Sequence, residues 1–125
     1  PLVLCNKTRA RANEVESMQI IGDVKGKNVV LIDDMIDTAG TITVAADVMK
    51  NAGAISVRAL ASHAVMSGPA TERVQASSIE EIVFTDSIPY TQRCSKIKQL
   101  SVADMFAETI RRVINNESIS SQYLI

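Results

Sequence analysis

The sequence predicts an α/β fold built on a doubly wound, mostly parallel sheet. Within residues 28–32, Val29–Ile32 form an unbroken apolar run rich in branched side chains, as a strand buried on both faces would. From there to the carboxyl end, strand-like and helix-like segments alternate. A turn of small residues separates the first such strand from the first helix, the usual punctuation of a βαβ unit.

Taken in order, Leu2–Cys5 reads as a strand, residues 6–14 as a polar and basic loop, and Val15–Ile21 as a second strand, although a short helix also fits its pattern. Lys25 and Gly26 turn the chain into the central strand, Asn28–Ile32. From Thr41 onward, Ile42, Ala45, Ala46, Met49 and Ala52 share one helical face, and Gly53 stands where a left-handed residue would end the helix. Ile55–Ser62 is the next strand, Pro69 opens a short helix to about Ala76, and Glu81–Thr85 is another strand. Lys96–Leu100 is the last strand. Ser101 and Asp104 resemble a capping box for a helix from Val102 to about Asn115, with Val102, Met105, Phe106, Ile110 and Val113 on one face. The serine-rich residues from Glu117 to Ile125 read as irregular.

At 125 residues and 46% hydrophobic, the chain suits one domain with its own core. A formal charge of -1 and a pI near 5.8 argue against general binding to nucleic acid or membrane surfaces, so an anion site must be local. Cys5 and Cys94 lack CxxC spacing and read as free thiols in a reducing cytoplasm. No run approaches the ~18 apolar residues of a membrane span. The chain begins at Pro1, without an initiator methionine, and opens like a strand already under way, which suggests the back part of a longer protein.

The stretch Val29–Thr41, Val-Val-Leu-Ile-Asp-Asp-Met-Ile-Asp-Thr-Ala-Gly-Thr, sits where a doubly wound sheet binds ligands, beyond the carboxyl end of a strand. Neither a GxGxxG fingerprint nor a GxxxxGK[ST] loop occurs, so its chemistry is read directly. Asp37-Thr38-Ala39-Gly40-Thr41 opens a helix, where free N–H groups and two hydroxyls can converge on a phosphate and Gly40 permits close approach. Asp33 and Asp34 would repel a phosphate beside them. If the chain turns at Asp34, both can instead accept hydrogen bonds from a vicinal diol, while an ordinary acidic loop is the alternative. Phosphate at one end and diol at the other describe a ribose 5-phosphate moiety.

The thirteen residues together resemble the phosphoribosyl-diphosphate motif shared by phosphoribosyltransferases and ribose-phosphate diphosphokinases (PRPP synthetases). Asn6–Val15, His63–Ala70 and the segments Lys98–Ala103, Ala107–Arg112 and Glu117–Ser120 resemble the second family specifically. The resemblance implies a phosphoribosyltransferase-like fold and covers essentially the whole chain, as the C-terminal part of that enzyme, residues 1–125 forming a single domain. It implies transfer of diphosphate from ATP to the C1 hydroxyl of ribose 5-phosphate, giving phosphoribosyl diphosphate and AMP, in a homo-oligomer. The family's ATP-binding half, with its magnesium-holding residues, is not in this sequence, so the chain alone is expected to make no product. Lys7 and Arg9 match the catalytic cations of the family's mobile loop; Thr8 departs from its usual basic residue, and Arg11 stays unassigned. Asp33, Asp34 and residues 37–41 match the substrate site. Ser118, Ser120 and Tyr123 match a regulatory segment in which phenylalanine is usual near Tyr123. Magnesium is expected mainly with ATP and substrate, meeting Asp33 or Asp34 directly or through water, with no metal site made by this chain itself. His63, without a neighbouring ligand at metal spacing, reads as structural. The alternatives are a phosphoribosyltransferase and a non-catalytic regulatory relative.

Overall fold

The computed structural model describes residues 2–8 and 17–122. Strands β1 (Leu4–Thr8) and β2 (Ser17–Ile21) form an antiparallel hairpin in the register Leu4↔Ile21 to Thr8↔Ser17. The first strand starts later than the apolar residues suggest and runs on through Asn6 and Lys7, where a loop was expected. Ladder pairing with β2 supplies hydrogen-bond partners to the backbone, whatever the polarity of the side chains. Lys7 therefore stands on a strand, opposite Met18.

The remaining strands, β3 (Asn28–Ile36), β4 (Ser56–Ala64), β5 (Glu81–Thr85) and β6 (Ile97–Leu100), make a parallel sheet in the order β3-β4-β5-β6. Helix α1 (Gly40–Asn51) crosses from β3 to β4 and α2 (Ala70–Ala76) from β4 to β5. The α/β reading with a mostly parallel sheet holds. Strand order follows chain order, so right-handed crossovers bring α1 and α2 to the same face, where they touch each other.

That face holds the core. Val57, Ala59 and Ala61 of β4 and Ile82 and Phe84 of β5 point inward, and Ile42, Ala45, Ala46 and Met49 of α1 with Ala70 and Val74 of α2 close over the sheet. The spacing of these α1 residues is the one the sequence shows. Ala52, by contrast, is exposed. Gly53 adopts φ 94° and its N–H bonds the Lys50 carbonyl, ending the helix as its position suggested. On the opposite face of the sheet, Val30, Ile32 and Leu60 are exposed, Ile32 by 78%.

Both β3 and β4 outlast their apolar runs, continuing to Ile36 and Ala64 because the parallel register from Asn28↔Ser56 to Ile36↔Ala64 keeps the two backbones together. Asp33, Asp34 and His63 consequently lie within strands rather than after them. Beyond β3, Ala39 occupies the N-cap of α1 in the left-handed region, φ 59° and ψ 5°, and is buried.

Helix α3 (Ala103–Ile114) follows β6, and of the expected capping box only the Ser101 half forms, its hydroxyl accepting the Ala103 N–H at 3.3 Å. Val102 is the N-cap, and its N–H bonds the carboxylate of Asp86, which also takes a hydrogen bond from Ser101. An acid from the end of β5 thus replaces Asp104. Met105, Phe106, Ile110 and Val113 do form a stripe, yet all are exposed. At the other end of α3, Glu108 accepts from Nε and Nη2 of Arg111 at 2.8 Å each and from Nε of Arg112 at 2.7 Å. Arg111 also pairs with Glu117, and Arg112 donates to the Ser118 carbonyl and the Ser121 hydroxyl. These arginines hold a segment expected to be irregular, which closes in a 3-10 turn at Ser120–Gln122.

The hydrogen bonds from Arg111 and then Arg112 lower the Glu108 pKa from 4.5 to about 2. Because the folded value is depressed, its contribution to stability is complete above pH 4.5 and disappears as pH falls toward 2. Side-chain carboxyl NMR should show Glu108 titrating near pH 2; a midpoint near 4.5 would mean that the guanidinium contacts do not persist in solution. Ala39→Val supplies a separate test of the left-handed cap. A branched side chain at this positive φ, in a buried site, should lower unfolding free energy by roughly 2 kcal/mol or more, whereas denaturant curves matching the parent would show that the turn can take another conformation.

Candidate functional site

The turn after β3 is shaped from the side by the connection between β4 and α2. Met66 N–H bonds the Ile36 carbonyl at 3.0 Å, and Ser67 N–H bonds the Asp37 carbonyl at 3.0 Å. The Ser67 hydroxyl donates to the Asp37 carboxylate, and Nη1 of Arg73, on α2, donates to the Thr38 carbonyl at 2.9 Å. Three successive carbonyls, of Ile36, Asp37 and Thr38, are therefore drawn toward one side.

In a trans peptide the N–H points opposite to the carbonyl of the same plane, and no cis peptide occurs among the described residues. The N–H groups of Asp37, Thr38 and Ala39 consequently face away from the β4–α2 connection. None of the three has a backbone or side-chain acceptor among the described residues. Successive amides turned to one side, ending in a left-handed residue, form the concavity that proteins use for anions. It opens directly onto the first turn of the 12-residue helix α1, whose leading N–H groups lack partners within the helix and carry partial positive charge.

Asp33 lies nearby in a different setting. A cleft of about 590 Å³ between β3, α1 and the start of the chain is lined by Leu4, Asp33, Thr41, Ile42 and Met49 among others, and Asp34 is not part of it. The strand remains extended through Ile36, so Asp33 and Asp34 leave its two faces rather than turning to one side together, as they would had the chain bent at Asp34. Each carboxylate accepts the N–H of the residue after it, from Asp34 at 2.9 Å and from Met35 at 2.8 Å. Both acids are exposed and stand at the carboxyl end of the sheet.

The other residues singled out in the sequence are more scattered. Lys7 is on β1, while Arg9, Arg11 and Tyr123 lie outside the described residues. Ser118 and Ser120 are beside α3, where the Ser120 N–H bonds the Ser118 hydroxyl. His63 is exposed near the end of β4, with Nδ1 2.8 Å from Oγ of Ser87; Thr85 links to that hydroxyl and to the Ser62 carbonyl. The cysteines are unpaired, and burial raises the Cys5 pKa. Among the described residues no cluster of three or more His, Cys, Asp or Glu side chains is placed to hold a metal, and no helix is long and apolar enough to cross a membrane.

Arg73 is the residue that sequence reading passed over. It is 35 positions from the carbonyl it holds, and nothing in the local pattern of α2 distinguishes it from a solvated helix charge. Ser67 was visible only as part of a Ser-Gly-Pro turn.

Comparison with known proteins bears on the family and the fold. A family model described as the phosphoribosyl synthetase-associated domain matches residues 6–124. A ribose-phosphate pyrophosphokinase of Porphyromonas gingivalis is 60% identical over 123 residues, covering 98% of this chain and 39% of the relative. One from Helicobacter hepaticus is 59% identical over 122 residues, covering 98% and 40%. The crystal structure of phosphoribosylpyrophosphate synthetase from Mycobacterium smegmatis superposes with a TM-score of 0.84 at 40% identity, covering 93% of this chain and 37% of that one. The chain thus spans about 40% of the length of these curated relatives. A parallel α/β sheet, a family model spanning residues 6–124 and relatives that match 98% of this chain lead to one assignment: the chain belongs to the phosphoribosyl synthetase-associated domain family.

Proposed function

We propose that this chain is the C-terminal domain of a ribose-phosphate diphosphokinase and carries its ribose 5-phosphate site. The observation supporting this reading most directly is the concavity of amides at residues 37–39, opening onto α1 beside Asp33 and Thr41. Its partners are ribose 5-phosphate, ATP and the product phosphoribosyl diphosphate, and the protein works as a cytoplasmic homo-oligomer.

In this reading Asp37, Thr38, Ala39, Gly40 and Thr41 receive the 5-phosphate, through backbone N–H groups and hydroxyls. The sugar lies over the carboxyl end of β3, where Asp33 and Asp34, approaching from the two faces of the strand, accept hydrogen bonds from the 2- and 3-hydroxyls. That arrangement leaves the C1 hydroxyl outward, toward ATP. Its oxygen bonds to the β-phosphorus of ATP, the bond from that phosphorus to the α–β bridging oxygen breaks, AMP departs, and the hydroxyl proton is released. Lys7 and Arg9 stabilise charge on the transferring diphosphoryl group, since phosphoryl transfer is catalysed chiefly by positioning and electrostatics. Magnesium, carried mainly by ATP and substrate and met by Asp33 or Asp34 directly or through water, would neutralise charge on the phosphates. The isolated carboxylates Asp33 and Asp34 suit a hard cation that keeps most of its ligands from nucleotide and water, rather than a cage built by the protein. Ser118, Ser120 and Tyr123 belong to the regulatory segment, of which Glu117, Ser118 and Ser121 are held by Arg111 and Arg112 of α3.

Calorimetry with two ligands tests the division of the site. Asp33→Asn with Asp34→Asn should weaken ribose 5-phosphate by about tenfold or more, the equivalent of roughly 1.5–3 kcal/mol for hydrogen bonds to a charged group, and should leave 2,3-dideoxyribose 5-phosphate nearly unchanged. Thr41→Val should weaken both ligands to a similar extent. Equal losses for the two ligands in the double-asparagine variant would remove the diol assignment.

A further inference from the structure

The β4–α2 connection makes three hydrogen bonds to Ile36 and Asp37, at and just past the end of β3, and α2 adds a fourth, to Thr38. The first two extend the β3–β4 ladder past its last pair, Ile36↔Ala64, onto Ile36 and Asp37. The Ser67 hydroxyl then holds the Asp37 carboxylate, and the Arg73 guanidinium holds the Thr38 carbonyl. To reach these partners the connection adopts an unfavourable backbone. Met66 is buried at φ 49°, a region that non-glycine residues seldom occupy and that persists only where surrounding contacts over-determine it.

Arg73 is unusual in what it does not touch. It is exposed, and among the described residues no carboxylate lies within ion-pair distance of it; its recorded hydrogen bond is to a backbone carbonyl that ends no helix and caps no strand. The same Nη1 is 3.7 Å from where a β-carbon would stand on Gly40. One guanidinium therefore borders both the Thr38 carbonyl and the open side of Gly40.

We infer that Arg73 and Ser67 are positioning residues for the ligand turn. By fixing the carbonyls of Asp37 and Thr38 and the carboxylate of Asp37, they turn the N–H groups of residues 38 and 39 outward before any ligand arrives. The turn then needs no rearrangement to accept a phosphate, and the guanidinium charge behind it raises the local positive potential in a chain whose net charge is -1. Without Arg73 the Thr38–Ala39 peptide is free to rotate, because a left-handed alanine is a poor conformation for the chain to keep unaided. This inference rests on the reading of residues 37–41 as a phosphate site.

The test measures affinity for ribose 5-phosphate and for 2,3-dideoxyribose 5-phosphate in the parent chain and in Arg73→Met, Arg73→Lys and Ser67→Ala, with thermal unfolding of each. Arg73→Met should weaken both ligands by about tenfold and by the same factor, because both carry the 5-phosphate, while Arg73→Lys, which keeps a charged donor, recovers most of the loss. Ser67→Ala should weaken both ligands by several-fold and covers the case in which Arg73→Met does not fold. A role in folding alone would lower the unfolding temperature without a matched loss for the two ligands in the folded protein, and would overturn the inference. Parent-like affinity in all three variants would overturn it too. Failure of the parent chain to bind either ligand would instead overturn the phosphate-site reading, and with it this inference.

Discussion

The parallel pairing of β3 with β4 is the constraint on which the rest depends. Its register, constant from Asn28↔Ser56 to Asp33↔Ala61 and resumed at Met35↔His63 and Ile36↔Ala64, does more than align apolar residues. It carries both strands several residues past the point at which their side chains stop being hydrophobic, so that acids and a histidine stand on a rigid ladder instead of a loose loop. It also delivers the two chain continuations side by side. The turn into α1 and the connection into α2 then meet at once, and Met66, Ser67 and Arg73 can grip residues 36–38. A turn built this way is positioned by two backbone hydrogen bonds, which few substitutions can remove, and by the side chains of Ser67 and Arg73.

The layering follows from the same order. With strands added in one direction, α1 and α2 share a face and bury Met49, Val57, Ile82 and Phe84, while Val30, Ile32 and Leu60 on the other face remain exposed. Parallel sheets are ordinarily covered on both faces. Among the described residues, the outer side of the sheet and the apolar stripe of α3 have no covering layer.

How far the sequence foretold this varied with the physics behind each element. Helix α1 was legible because burial on one face imposes a 3.6-residue period, and Ile42, Ala45, Ala46 and Met49 obey it; Gly53 was legible because a positive φ favours glycine. The turn into α1 was legible in Asp37–Thr41, where small and hydroxyl-bearing residues gather at a strand-to-helix junction. Strand ends were not, since ladder pairing extends β1, β3 and β4 through residues whose side chains give no strand signal, and this moved Lys7, Asp33, Asp34 and His63 into strands. The cap of α3 was misread because its acid, Asp86, comes from another element. For the same reason Arg73 carried no local sign of its partner: contacts between distant residues are set by topology, which periodicity does not encode.

One measurement reaches the centre of this account: a titration of the isotopically labelled chain with ribose 5-phosphate, followed through backbone amide resonances. The expected result is saturable movement concentrated at Thr38, Ala39 and Gly40, with smaller shifts at Asp33 and Asp34. The second cavity, about 540 Å³ and lined by Gln75, Tyr90, Arg93 and Cys94, should be unaffected. Saturation at that cavity, with residues 37–41 unmoved, would contradict the claim that the β3–β4 pairing builds a phosphate site.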